Sequence, residues 1–192
     1  MPNLYIIAGC NGAGKTTASY TVLPEILNCR EFVNADEIAK GLSPFQPETV
    51  SIHAARLMLE RISQLLTQNV DFAIETTLTT LSYQKTIELA KLENYNITLI
   101  FFWLNDVNLA IERVKSRVAD GGHNIPEEII IRRYYRGVSN LMHIFLKLCN
   151  YWLVIDNSKR SFAIIAEGNE EFETTVYDDE IWTKLKEQSH GK

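Results

Sequence analysis

The chain has 192 residues, 46% of them apolar and 22% charged, with a formal net charge of −5. The length suits one α/β domain, the composition excludes a disordered chain, and the acidic balance gives no support for nucleic-acid binding. No apolar run is long enough to cross a bilayer, and Met1 to Ile7 has no basic leader, so a cytoplasmic protein without membrane or nucleic-acid partners is expected.

Leu4 to Ala8 reads as a short buried strand that runs into Gly9-Cys10-Asn11-Gly12-Ala13-Gly14-Lys15-Thr16-Thr17. A helix starts at Lys15 and is disrupted at Pro24. Glu31 to Asp36 reads as a second strand ending in polar groups. Pro47 to about Gln68 predicts a long helix, because Val50, Ala54, Leu57, Met58, Ile62, Leu65 and Leu66 recur at helical spacing. Asp71 to Thr76 predicts a third strand, after which Ser82 is placed to cap a helix from Tyr83 to Glu93. Ile97 to Leu104 is almost wholly apolar, as a central parallel strand is.

Val107, Ala110, Ile111, Val114 and Val118 mark one face of the next helix, which Gly121-Gly122-His123-Asn124 breaks, with His123 as a turn residue. Pro126 fits a first helical position, with Glu127 and Glu128 in the first turn. Tyr151 to Asp156 and Phe162 to Ala166 predict two further strands. The acidic tail beyond Glu167 predicts a hairpin and a terminal helix docked through Trp182 and Leu185. Strands alternating with helices indicate an α/β fold of three layers, with a mostly parallel sheet covered on both faces.

Gly9, Gly14, Lys15 and Thr16 meet the pattern G-x-x-x-x-G-K-[ST], with a strand before it and a helix after it. Such a loop points backbone N–H groups of Gly9, Asn11, Gly12, Ala13, Gly14, Lys15, Thr16 and Thr17 at phosphate oxygens, and the helix N-terminus adds partial positive charge. Lys15 would neutralise the terminal phosphates of ATP, and the Thr16 hydroxyl would ligate Mg²⁺. Three segments end at the same strand rim, where ligands of open α/β sheets bind: this loop, Asn34-Ala35-Asp36, and Glu75-Thr76-Thr77. Asp36 suits either a base that takes the proton of an attacking hydroxyl or a cap for the helix containing Glu37. Glu75 suits Mg²⁺ or a sugar hydroxyl, and Thr77 a substrate phosphate. Asp156, at the end of a hydrophobic run, is a rival for the metal role.

Basic residues gather at Arg113, Arg117, Arg132, Arg133 and Arg136. Two helices around a glycine turn read as a lid at about 113–136, whose arginines would stabilise charge on a transferring phosphoryl group and exclude water. The same residues also suit a solvated helical face. Cys10, Cys29 and Cys149 lack histidine partners at metal spacing and read as reduced thiols, with Cys10 open to alkylation through its place in the loop.

Together, the loop, Asn34-Ala35-Asp36, Glu75-Thr76-Thr77 and the segment from Arg113 through Gly121-Gly122-His123 to Tyr134 resemble the zeta-toxin-like P-loop kinases, in particular the short stand-alone branch labelled as ABC-type ATPases. The resemblance covers the chain to about Ser158. It implies a nucleotide-kinase-like P-loop fold in a single domain over 1–192, with a C-terminal appendage at about 167–192. It implies phosphorylation of UDP-N-acetylglucosamine, a nucleotide sugar, at the expense of ATP with Mg²⁺, and an antitoxin protein as partner. By the same resemblance Lys15 and Asp36 act in catalysis with Arg117, Arg132 and Arg133, while Asn34, Asp36, Glu75, Thr77 and Arg113 bind the acceptor, and Thr16 and Glu75 hold the metal. Other hydroxyl acceptors, or ATP hydrolysis by a regulatory or transport ATPase, are the competing readings. A Leu-Ser-Gly-Gly-Gln-like signature, which transport ATPases carry, is missing.

Overall fold

A computed structural model describes residues 1–119, 121–122, 124–170 and 174–190; His123 lies outside them. Its strands are β1 (Asn3–Gly9), β2 (Phe32–Val33), β3 (Phe72–Thr76), β4 (Asn96–Trp103), β5 (Tyr151–Asp156), β6 (Ala163–Asn169) and β7 (Thr174–Val176). They form one sheet in the order β2-β3-β1-β4-β5-β6-β7. β2 to β5 pair in parallel with β1 among them, and β6 and β7 are added antiparallel. The helices are α1 (Lys15–Thr21), α2 (Ala35–Leu42), α3 (Ser51–Gln68), α4 (Ser82–Leu92), α5 (Val107–Ala119), α6 (Glu127–His143) and α7 (Asp179–His190).

The two-residue period of the strands sorts side chains into two cores. From β1, Leu4, Ile6 and Ala8 join Met58, Ile62 and Leu65 of α3 and Trp182 and Leu185 of α7. Tyr5 and Ile7 point the other way, toward Leu23 and toward Ala110, Ile111 and Val114 of α5. Both faces of the central strands are therefore dry, which is why they read as continuous apolar runs. Helix α6 contributes Ile130 and Tyr134 to the second core and Val138 and Leu141 to the first. It therefore reaches from one core to the other. Along the way Tyr134 Oη donates to the Leu104 carbonyl at 2.6 Å and Asn140 Nδ2 to the Leu78 carbonyl at 2.6 Å, both just beyond strand ends.

Several boundaries differ from the sequence reading. The second strand is only Phe32–Val33, because Asn34 leaves the ladder to cap α2. Its Oδ1 accepts from the backbone N–H groups of Asp36 and Glu37 at 2.8 and 3.3 Å. Asp36 thus belongs to the first turn of a helix and is not the cap. Ser82 is the first residue of α4 rather than its cap, and its hydroxyl pairs with that of Thr80 at 2.8 Å. Pro126, with ψ 138°, occupies the cap position of α6 and Glu127 the first helical one. Pro24 does not stop α1 outright; it sits within a π-helical turn, Val22–Ile26, that follows directly. The long helix opens with a 3₁₀ turn, Pro47–Val50, before α3. β6 outruns Ala166 and pairs antiparallel, with β7 after it.

The terminal helix docks as expected. Trp182 stacks on Trp152 with ring centroids 5.8 Å apart and planes 9° from parallel, and Leu185 is fully buried. Replacing Trp182 by Ala is expected to cost about 3–5 kcal/mol by leaving a cavity where the stack was. Urea denaturation of the two proteins measures this; an unchanged midpoint would show that α7 does not contribute to the core.

Candidate active site

The loop after β1 depends on its glycines, which all have positive φ. Gly9 has φ +142°, and a Cβ there would lie 2.3 Å from the Phe102 carbonyl oxygen of β4. Gly14 caps α1 with φ +83°, the left-handed region where side chains are strained. Three side chains hold the loop from outside. Asn157 Nδ2 donates to the Ala13 carbonyl at 2.8 Å, Arg113 Nη1 to the Gly12 carbonyl at 3.4 Å, and Arg133 Nη1 to Asn11 Oδ1 at 3.2 Å.

Glu75 lies beside the end of β1, because β3 pairs with it in the register Ile7 to Glu75. Its carboxylate gathers the site. Thr16 Oγ1 and Asn34 Nδ2 each donate to Oε2 at 2.8 Å, and Lys15 Nζ lies 3.5 Å from Oε1. Lys15 Nζ also donates to the Cys10 carbonyl at 3.0 Å and is 6% exposed. A buried polar group needs hydrogen-bond partners, and Glu75 and the loop carbonyl supply them. After Glu75 the chain turns through Leu78, buried at φ +55°, an unusual conformation for a branched residue. Thr76 Oγ1 accepting from Leu78 N at 3.0 Å, and Asn140 holding the Leu78 carbonyl, fix this turn.

Asp36 is exposed on the first turn of α2 and faces a cavity of about 930 Å³ that Thr16, Thr17, Lys40, Arg117 and Arg133 also line. Arg133 is half-buried. Burial draws its pKa down, Asp36 opposes that, and the Arg132 charge adds to the lowering. Arg117 enters from the last turn of α5, where its carbonyl accepts from Gly122 N at 2.8 Å. Arg132 is exposed and is not among the residues lining the cavity. Arg113, expected to meet the acceptor, spans the carbonyls of Gly12 and Ser158, the latter at 3.1 Å. Thr77 pairs with the Thr79 hydroxyl at 3.0 Å. Asn34 is taken up by its cap and by Glu75. Asp156 is buried and turned to its own loop, where Oδ1 accepts from Ser158 N at 2.9 Å and from the Ser158 hydroxyl.

Two residues were not foreseen in these roles. Tyr83 reads from sequence only as a helix start, yet its phenol lies near Thr76, Asp36 and Glu75. Burial first, then the two carboxylates, raise its pKa, against a hydrogen bond with Thr76. Asn157 follows a buried strand end and clasps the loop from β5. A polar residue at the rim of a central strand was the one signal for it.

Cys10 is a reduced thiol as expected, but its place in the loop does not open it to alkylation. Its side chain is 5% exposed, and burial pushes the thiol up to about 11 although Lys15 and Arg113 pull the other way. Cys29 and Cys149 are free and buried as well.

The family model for Zeta toxin matches residues 1–170. An uncharacterized protein of Haemophilus influenzae is 29% identical over 126 residues, 66% of this chain and 88% of its own. A structure of the AvrRxo1-ORF1:-ORF2 complex with ATP superposes with a TM-score of 0.78 at 17% identity, over 96% of this chain and 63% of the matched one. This chain thus spans less than two thirds of that relative. A structure from the PezAT chromosomal toxin-antitoxin system of Streptococcus pneumoniae gives a TM-score of 0.71 at 17% identity, over 100% of this chain and 80% of the matched one. At these identities the structures share the fold.

Since the thiolate is the reactive form, a pKa near 11 leaves Cys10 protonated at pH 8. Iodoacetamide at pH 8 is expected to leave Cys10 unmodified in the folded protein and to modify it in urea. Peptide mass spectrometry reads this, and rapid labelling of the native protein would contradict the burial.

Proposed function

The chain belongs to the zeta toxin family, and we propose that it is an ATP-dependent phosphotransferase that moves the γ-phosphoryl group to a sugar hydroxyl, on a nucleotide sugar of the UDP-N-acetylglucosamine kind. The observation that carries this reading is the facing of two halves across one cavity. Thr16 and Thr17 line it from the loop side and Asp36 from α2, and Glu75, bonded to Lys15, Thr16 and Asn34, ties the loop to the start of α2.

In this reading the loop N–H groups and Lys15 bind the β- and γ-phosphates. Lys15 moves from the Cys10 carbonyl onto phosphate oxygens, a short displacement for a flexible stem. Asp36 accepts the proton of the acceptor hydroxyl as its oxygen forms a bond to phosphorus and the bond to the leaving ADP oxygen breaks. Arg133 and Arg117 stabilise the charge on the equatorial oxygens. Arg133 is already tied to Asn11 of the loop, and so approaches the phosphates without reorganising. Arg132 supports the local positive field from outside the cavity.

Thr16 and Glu75 suit Mg²⁺. Their oxygens are 2.8 Å apart on the phosphate side, and the Thr16 hydroxyl donates to a carboxylate oxygen that the cation would share. Among the described residues there is no cluster of three His, Cys, Asp or Glu side chains, as suits a cation held mainly by phosphate and water. When bound, Mg²⁺ neutralises the charge of the phosphates.

The whole chain forms one catalytic unit in this proposal, with α5, α6 and the turn between them as a lid. The PezAT neighbour belongs to a toxin-antitoxin system, which supports an inhibitory protein partner for this chain. Among the described residues no helix is long and apolar enough to cross a membrane, which accords with a cytoplasmic enzyme.

Incubation with ATP, Mg²⁺ and a panel of UDP-sugars, followed by mass spectrometry, is expected to reveal an acceptor one phosphate heavier. The Asp36→Asn variant should lower the transfer rate on the order of a hundredfold or more, with ATP affinity little changed. ATP consumption with no phosphorylated acceptor would overturn the kinase reading. Full-rate transfer by Asp36→Asn would remove Asp36 from the role of base.

A further inference from the structure

The ends of α6 and α7 bring two imidazoles together, away from the cavity at Asp36. His143 lies in the last turn of α6 and His190 in that of α7. Their ring centroids are 5.2 Å apart, with the planes 72° from parallel. Both residues are exposed, and neither lines the Asp36 cavity. Along α6, His143 is roughly 15 Å beyond Arg133.

One contact sets the chemistry of the pair. His143 Nδ1 donates to the Ser139 carbonyl, one turn earlier on α6, at 2.9 Å. A carbonyl oxygen only accepts, so Nδ1 is the nitrogen that carries the proton. The neutral ring then keeps its lone pair on Nε2. A backbone carbonyl on one imidazole nitrogen is the support that metal-ligating histidines have, because it fixes both tautomer and ring orientation.

The spacing fits a shared cation. A zinc–nitrogen bond of about 2.0–2.1 Å, with the ring centroid about 1.1 Å behind the nitrogen, sets two imidazoles on one tetrahedral ion with centroids roughly 5 Å apart. His143 and His190 are 5.2 Å apart by the same measure. The local field favours a cation as well. Each histidine sits at the carboxyl end of its helix, where the dipole is negative and the last carbonyls lack helical donors.

We infer that His143 and His190 are the protein ligands of a zinc-class divalent cation that clips α6 to α7. Imidazole suits zinc, nickel and copper, whereas magnesium takes oxygen ligands. Among the described residues no group of three His, Cys, Asp or Glu side chains is placed to hold a metal. Water therefore completes the coordination, and the affinity is lower than that of a closed four-ligand site. The clip joins the helix that carries Arg133 to the one that docks through Trp182 and Leu185. It is independent of the phosphotransfer proposal and of the oxygens of Thr16 and Glu75.

The test uses the full chain without an affinity tag, stripped with EDTA and desalted. Zinc chloride is titrated by calorimetry into wild type, His143→Ala, His190→Ala and His143→Phe, and thermal melts are recorded with and without zinc. The wild type should bind zinc and melt at a higher temperature in its presence, because an ion that binds only the folded chain stabilises it. Each variant should bind roughly a hundredfold more weakly or worse, and lose the zinc-dependent rise. His143→Phe keeps an aromatic ring against His190 but has no lone pair, so it separates a ligand from a packing contact. Magnesium chloride should not distinguish the wild type from the variants. A wild type that binds no zinc would overturn the inference. So would zinc bound equally by all four proteins, the mark of an adventitious ion only. A zinc-dependent rise retained in His143→Phe would also overturn it, and would reduce the pair to an aromatic contact.

Discussion

The carboxylate of Glu75 is the point on which the site depends. It lies at the end of β3, nearly out of solvent, and is shared among Lys15, Thr16 and Asn34. These partners come from two elements. Lys15 and Thr16 start the helix after the phosphate loop, while Asn34 caps α2 and so fixes the turn that carries Asp36. One buried charge thereby fixes both sides of the cleft. Breaking such an arrangement by removing one partner strands a charge in a low-dielectric place, which is costlier than the interaction itself is favourable. The sheet supports this directly, since the register of β3 on β1 sets the height of Glu75 beside the loop.

Helix α6 performs the second joining. Its side chains enter both cores, and its polar residues reach the ends of several strands: Arg133 to Asn11, Tyr134 to the Leu104 carbonyl and Asn140 to the Leu78 carbonyl. Helix α7 braces it from behind, through Gln188, whose Oε1 accepts from Trp103 Nε1 at 3.0 Å and lies 3.5 Å from Tyr134 Oη. Arg133, bonded to Asn11 of the loop, is thus carried on a well-packed element.

Much of this was legible in the sequence because the determinants are local or periodic. The loop motif, the apolar central strands and the arginine-bearing helices follow from spacing alone. The docking of Trp182 and Leu185 likewise follows from their i, i+3 pattern in an otherwise polar tail. What escaped was set by tertiary geometry. Asn34 resembled a strand end because nothing in Phe32-Val33-Asn34 reveals that only two residues find a ladder partner. Arg113 and Arg133 are both lid arginines by sequence, but only coordinates show that Arg113 grips the Gly12 and Ser158 carbonyls while Arg133 faces Asp36. The three cysteines are the reduced, buried thiols their spacing suggested, and only the openness of Cys10 to alkylation is removed by its burial. Tyr83 carried no signal, since a lone aromatic acquires meaning only from the groups around it.

Whether Glu75 governs the site is decided by the phosphotransfer rate of Glu75→Gln at saturating ATP and acceptor, measured beside its thermal stability. The substitution keeps size but removes the charge and turns one of the two acceptor oxygens that face Lys15, Thr16 and Asn34 into a donor. A folded protein whose kcat falls on the order of a hundredfold is expected. A folded variant that transfers phosphate at the wild-type rate would contradict a governing role for this carboxylate.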